Sequence, residues 1–202
     1  MNLCEQLSHV PLYVSRFTQT VATRRSGITR DKHLLYHIEN HLIRLHSAFD
    51  RCLLLVDAVF HLLNAPAALS PTVIASNLKV KRTAVPKRLK AIRKVLGPSI
   101  DTRNDVIHHH AYKEDTLREL EMFCLAETIL PPEKSGPLRK TYLRSRVREL
   151  THQLVKTKRR ELAQLNADLF SAIGELLSEL HPLYRREKAL VEARVLAQAR
   201  LD

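Results

Sequence analysis

Glycine is scarce in this chain, at 4 of 202 residues, and proline contributes only 9. So few turn-formers argue against a fold of many short strands and leave long, uninterrupted helices as the expectation. Cysteine is rarer still, with Cys4, Cys52 and Cys124 widely spaced. Two of them fall inside apolar helical patterns, which argues against a disulfide framework or zinc cluster and points to a reducing compartment. Long hydrophobic runs are missing as well. The longest, from Cys52 to Leu63, is too short for a membrane span and carries Asp57 and His61. The opening residues lack the basic and apolar regions of a signal peptide, so a soluble, cytoplasmic protein with no membrane partner is expected. Acidic residues are outnumbered, 21 Asp and Glu against 33 Lys and Arg, a formal charge of +12. That imbalance favours phosphate-rich partners, nucleic acid first among them.

What is present is helical periodicity. A helix is expected over about 4–24, broken or started near Pro11, with a turn at Ser26-Gly27. From Thr29 or Asp31 to Asn64, Leu34, Leu35, Ile38, Leu42, Leu45, Phe49, Leu53, Val56, Phe60 and Leu63 recur at threes and fours, predicting a central helix. A loop over 65–71 leads to short helical pieces that Gly97-Pro98 should stop. A second major helix is predicted from about Thr102 to Ile129, and the proline-rich stretch Leu130 to Pro137 reads as a linker. Beyond it Val147, Leu150, Leu154, Leu162, Leu165, Leu169, Ile173, Leu176, Leu180 and Leu183 trace a leucine stripe, with Pro182 as a kink or break. The reading is an all-α protein: a helical bundle over 1–130 and a long basic C-terminal helical arm over 138–202, packing on the bundle or on a dimer partner.

The most chemical segment is Arg103-Asn104-Asp105-Val106-Ile107-His108. On one continuous helix Asn104, His108 and Tyr112 stand at i, i+4 and i+8 and share a stripe, while His110 falls on the core-facing side. Consecutive helical residues point about 100° apart, so His108, His109 and His110 cannot all ligate one metal, and neither a metal nor a cofactor is expected.

An Arg followed by a polar residue, three further positions and a His, between helices of a basic bundle, resembles the signature of the HEPN family. The resemblance covers roughly residues 30–130. It implies a bundle of four or five helices, often dimeric, and in many members a metal-independent endoribonuclease of toxin, phage-defence or RNA-processing systems. It also implies that His108 acts on the ribose 2′-OH, Arg103 steadies the phosphorane, and Asn104 orients one of them. The residue types suit those tasks, since an imidazole transfers protons near neutrality and a guanidinium matches developing phosphate charge. Some toxins of the family end their motif His-x-Tyr and are silenced when a partner nucleotidyltransferase adds AMP to that tyrosine. Here His110-Ala111-Tyr112 has the dipeptide spacing but His108 to Tyr112 does not, so Tyr112 reads as a regulatory site or as an amphipathic ring beside the cleft.

Other groupings have plainer readings. His33, His37 and His41 form an i, i+4, i+8 stripe without a third-ligand pattern, and are expected to be solvated or interfacial. Asp57 and His61 should hydrogen-bond to each other, or stand behind the Arg103 and His108 cleft as its supporting shell. Lys79, Lys81, Arg82, Lys87, Arg88, Lys90, Arg93 and Lys94 have no acid among them and are read as nucleic-acid contacts. The stretch 72–94 faintly resembles a helix-turn-helix whose second helix would begin near Arg82. A second basic cluster, Arg139 to Arg160, is opposed only by Glu149. The leading expectation is a HEPN-type ribonuclease or toxin acting on RNA as a homodimer, with an antitoxin or nucleotidyltransferase as candidate partner. The rival is a non-catalytic helical nucleic-acid-binding or assembly protein.

Overall fold

The computed structural model describes residues 2–108, 111–129 and 136–198. The helices are α1 (Leu3–Ser15), α2 (Val21–Arg25), α3 (Arg30–Val59), α4 (Pro71–Ser76), α5 (Leu78–Lys81), α6 (Val85–His108), α7 (Asp115–Ile129) and α8 (Pro137–Gln198), with a 3-10 turn at Pro66–Ala68. No strand occurs among the described residues. The chain forms two compact units: Met1–Leu45 with Pro98–Asn166, and His46–Gly97 with Ala167–Asp202. Residues of α3, α6 and α8 belong to both.

In the first unit, α1 begins with a capping box, Asn2 accepting from the Glu5 N–H and Glu5 returning the bond. The core joins Val10 and Val14 of α1, Leu34 of α3, Leu117, Leu120 and Cys124 of α7, and Leu150, Leu154 and Leu162 of α8. The leucine stripe of the arm is thus buried against its own chain here. Two inward positions of that stripe are polar: Lys158 and Asn166 are buried between the leucines.

Pro11 lies inside α1 and has no N–H for the Leu7 carbonyl four residues back. That carbonyl instead accepts from Asn166 Nδ2 at 2.7 Å. With its amide committed, Asn166 presents Oδ1 to His41 Nε2 at 2.8 Å, which makes Nε2 the protonated nitrogen of a neutral imidazole. His41 Nδ1 is enclosed without a partner. His41 is therefore fully buried rather than part of a solvated stripe.

In the second unit α3 ends earlier than its apolar pattern suggests. His61 and Leu63 have positive φ, and Asp57 Oδ1 accepts from the Asn64 backbone N–H at 3.3 Å and its side chain at 2.6 Å. Closing that turn leaves Leu63 89% exposed, off the helix on which its spacing had placed it. Ser70 caps α4 and Asn77 caps α5. On α6 Val85, Leu89, Ile92 and Leu96 are buried, and on α8 Leu169, Leu176 and Leu180 are buried.

Several boundaries differ from expectation. The predicted 4–24 helix is two, α1 and α2. The helix expected to stop at Gly97-Pro98 passes through both residues, and Pro182 does not end α8. A single proline removes one backbone bond, and the regular burial of Ile92, Leu96 and Ser99 holds α6 in register across it. The predicted 102–129 helix is instead the end of α6 and the whole of α7, with residues 111–114 non-helical between them.

Burial lowers the His41 pKa to about 4, while the Asn166 bond pulls the other way. The unfolded chain takes up this proton near 6.5 and the folded chain only near 4, so stability is complete above 6.5 and falls as pH drops between the two values. The loss from this residue is bounded at about 3 kcal/mol. Urea unfolding at pH 7 and pH 4.5 should show His41→Gln flattening that acid limb, while Asn166→Leu costs roughly 2–4 kcal/mol at both, because two buried groups lose their partner.

Candidate active site

Arg103, Asn104 and His108 all lie on the last turns of α6. Arg103 is half-buried, and its Nη1 donates to Asn104 Oδ1 at 3.0 Å while its Nε is enclosed without a partner. Asn104 and His108, one turn apart, are exposed. A guanidinium tethered by a neighbouring amide is held in one orientation, and an exposed imidazole at a helix end can be reached by a large substrate. A guanidinium suits an anion and an imidazole suits proton transfer, and on one helix Arg103 and His108 stand five residues apart. His109 and His110 lie outside the described residues.

Tyr112 is not on the stripe with Asn104 and His108, because α6 ends before it. Its backbone N–H donates to Glu39 Oε1 at 2.9 Å and its hydroxyl to Glu114 Oε2 at 3.1 Å. Burial raises the Tyr112 pKa, partly opposed by the Lys158 ammonium, which stands 5.7 Å from the ring centroid. Burial of Lys158 alone would lower its pKa, but bonds to Glu161 at 2.7 Å and Glu114 at 3.0 Å, with Tyr112 beside them, raise it overall. Lys158, read in the sequence only as part of a basic cluster, thus ties the segment after α6 to α8, while Tyr112 ties it to α3.

A family model for HEPN_Cthe2314-like HEPN matches residues 15–127. The chain belongs to the HEPN family. The match takes in Arg103 to His108 and leaves α8 outside it, and it brings an association with nucleases, toxins and RNA-related functions. No curated protein and no solved structure matches the chain. No described helix of this HEPN protein is long and apolar enough to cross a membrane. Among the described residues, no three His, Cys, Asp or Glu gather as a metal site.

The HEPN chain leaves the other sequence-derived residues in separate places. Asp57 is taken by Asn64 and makes no bond to His61, which is exposed. Both belong to the second unit, whereas Arg103 and His108 belong to the first. His33 and His37 are half-buried against aromatic rings rather than solvated. The second helix of the helix-turn-helix-like stretch begins at Val85, not Arg82, which puts Pro86 in a first turn where no N–H is required.

The basic run divides by function. Lys79 Nζ donates to the Phe60 carbonyl at 3.1 Å and Arg88 pairs with Glu175, so both serve the fold. Lys81, Arg82, Lys87, Lys90, Arg93 and Lys94 are exposed. Lys87, Lys90 and Lys94 stand at i, i+3 and i+7, opposite the buried Leu89, Ile92 and Leu96. In the Arg139 to Arg160 cluster, Arg144, Arg146 and Lys158 are engaged by Glu127, Glu119, Glu149, Glu114 and Glu161.

Lys90→Glu with Lys94→Glu should therefore elute from heparin at clearly lower salt than wild type and retain its stability. Each phosphate that the variant no longer neutralises should reduce the slope of log affinity for a polynucleotide against log salt by roughly 0.7–0.9. Arg88→Glu should instead lower the unfolding midpoint, since it sets two carboxylates facing each other.

Proposed function

We propose that this HEPN protein is a metal-independent endoribonuclease working as a homodimer, with Arg103, Asn104 and His108 as its reacting group. The reading is carried by one observation: Arg103 is tethered to Asn104 on the final turns of α6, with an exposed His108 one turn further on. His108 removes the ribose 2′-OH proton, and the oxygen attacks the adjacent phosphorus. The 5′-oxygen leaves and takes up a proton, giving a 2′,3′-cyclic phosphate and a 5′-hydroxyl. Arg103 neutralises charge that develops on the phosphorane, and Asn104 keeps the guanidinium aimed. The exposed lysines of α6 supply affinity without sequence choice.

Regulation by nucleotidyl transfer to Tyr112 would require a partner enzyme to break the hydroxyl bond to Glu114, so Tyr112 is better supported as a positioning residue. A non-catalytic RNA-binding protein is the second reading, favoured by the exposed Lys87, Lys90 and Lys94 face.

Incubation of purified protein with total RNA and excess chelator separates them. Cleavage should persist with EDTA and leave 2′,3′-cyclic phosphate ends. His108→Ala should slow it by about 10²–10⁴-fold, and Arg103→Ala by about 10²–10³-fold. Asn104→Ala should fall less far, because the guanidinium remains. Undiminished cleavage by His108→Ala would refute the assignment, and RNA binding without cleavage by wild type would support the second reading.

A further inference from the structure

Along one seam of the first unit, α1, the segment just after it and α3 bring aromatic rings into a continuous line. His9 meets Tyr13 at 6.0 Å between centroids, and Tyr13 meets His37 at 5.5 Å. His37 meets His33 at 4.5 Å, and His33 meets Phe17 at 4.8 Å. Tyr36 stands edge-on to His37 at 5.3 Å. These rings are not what joins α1 to α3, since the buried Val10, Val14 and Leu34 do that. Tyr13 is 41% exposed and Tyr36 60%, so the line opens to solvent rather than closing on a core.

Two guanidinium groups lie beside its His33 and His37. Arg30 lies 5.5 Å from the Phe17 centroid and is anchored by its 2.7 Å bond to the Val14 carbonyl. Arg30 acts on both His33 and His37, and Arg44 acts on His37. Neither arginine enters an ion pair among the described residues. π-faces next to uncompensated guanidinium groups match a ligand that alternates flat bases with phosphates.

We infer that this seam is a base-stacking platform for single-stranded RNA, separate from the Arg103 and His108 residues. A duplex hides its base faces, so the platform discriminates strandedness rather than sequence. Burial, with the neighbouring positive groups, lowers the His33 pKa to about 4 and lowers that of His37 too, so both rings remain uncharged at neutral pH. The choice of RNA rests on the ribonuclease reading, whereas the stacking itself does not.

The test uses the full chain carrying His108→Ala, in chelator, with a labelled single-stranded RNA oligonucleotide and the same sequence as a duplex. Tyr36→Ala and Tyr13→Ala should each weaken single-strand binding about five- to hundred-fold, leave duplex binding within about two-fold, and keep the helical circular dichroism. Tyr36→Phe should bind like its parent, because the ring is what matters. Unchanged single-strand affinity in both alanine variants would overturn the platform, as would equal losses on duplex. A change of oligomeric state with RNA binding intact would also overturn it, assigning the rings to a contact between copies. Cleavage by the parent protein with His108 intact is scored separately. No cleavage together with ring-dependent binding removes the ribonuclease reading and keeps the platform, and cleavage with ring-independent binding does the reverse.

Discussion

The first unit depends on Asn166 satisfying two groups that water cannot reach. Pro11 leaves the Leu7 carbonyl without its helical donor, and the His41 Nε2–H is buried away from water. One amide answers both, giving its N–H to α1 and its oxygen to α3 from a position on the inward stripe of α8. A hydrophobic residue there would pack equally well and leave a carbonyl and an imidazole N–H unpaired in a low-dielectric core. The bridge therefore fixes register among three helices that apolar contacts alone would allow to slide. Lys158, two turns earlier on α8, does the same for the segment between α6 and α7.

The candidate site lies in the same unit. The end of α6 carries Arg103, Asn104 and His108, and the chain beyond it is held by Tyr112 through Glu39 and Glu114. Neither contact touches the three residues. They fix where the following helix begins, and α7 carries Leu117, Leu120 and Cys124 into the core. A tyrosine that a motif comparison would place among functional groups is here a clasp.

Local signals carried much of this and long-range partners carried the rest. The threes and fours of Leu34, Ile38, Leu42, Leu45, Phe49, Leu53 and Val56 are all buried on α3, and the Arg103 segment falls on a helix, as its pattern required. His41 was misread because its partner is 125 positions away, and no local spacing reveals that. The Asn104, His108 and Tyr112 stripe failed because periodicity was extended over residues with no helix. Gly97-Pro98 misled in the opposite sense, since punctuation by type ignores the burial on both sides that carries α6 through. Lys79 and Arg88 look like their exposed neighbours in sequence, and only a carbonyl at Phe60 and a carboxylate at Glu175 set them apart.

The Asn166 bond to Leu7 joins positions 159 apart, and the first unit is assembled from the two segments that contain them. During synthesis the α6 segment emerges long before Asn166 exists. Until then the Leu7 carbonyl and His41 have no partner, and Leu150, Leu154 and Leu162 are missing from the core that surrounds α7. Contacts of such large sequence separation form late, after most of the chain is free to close the loop. This topology delays the mature fold of the first unit until α8 has left the ribosome.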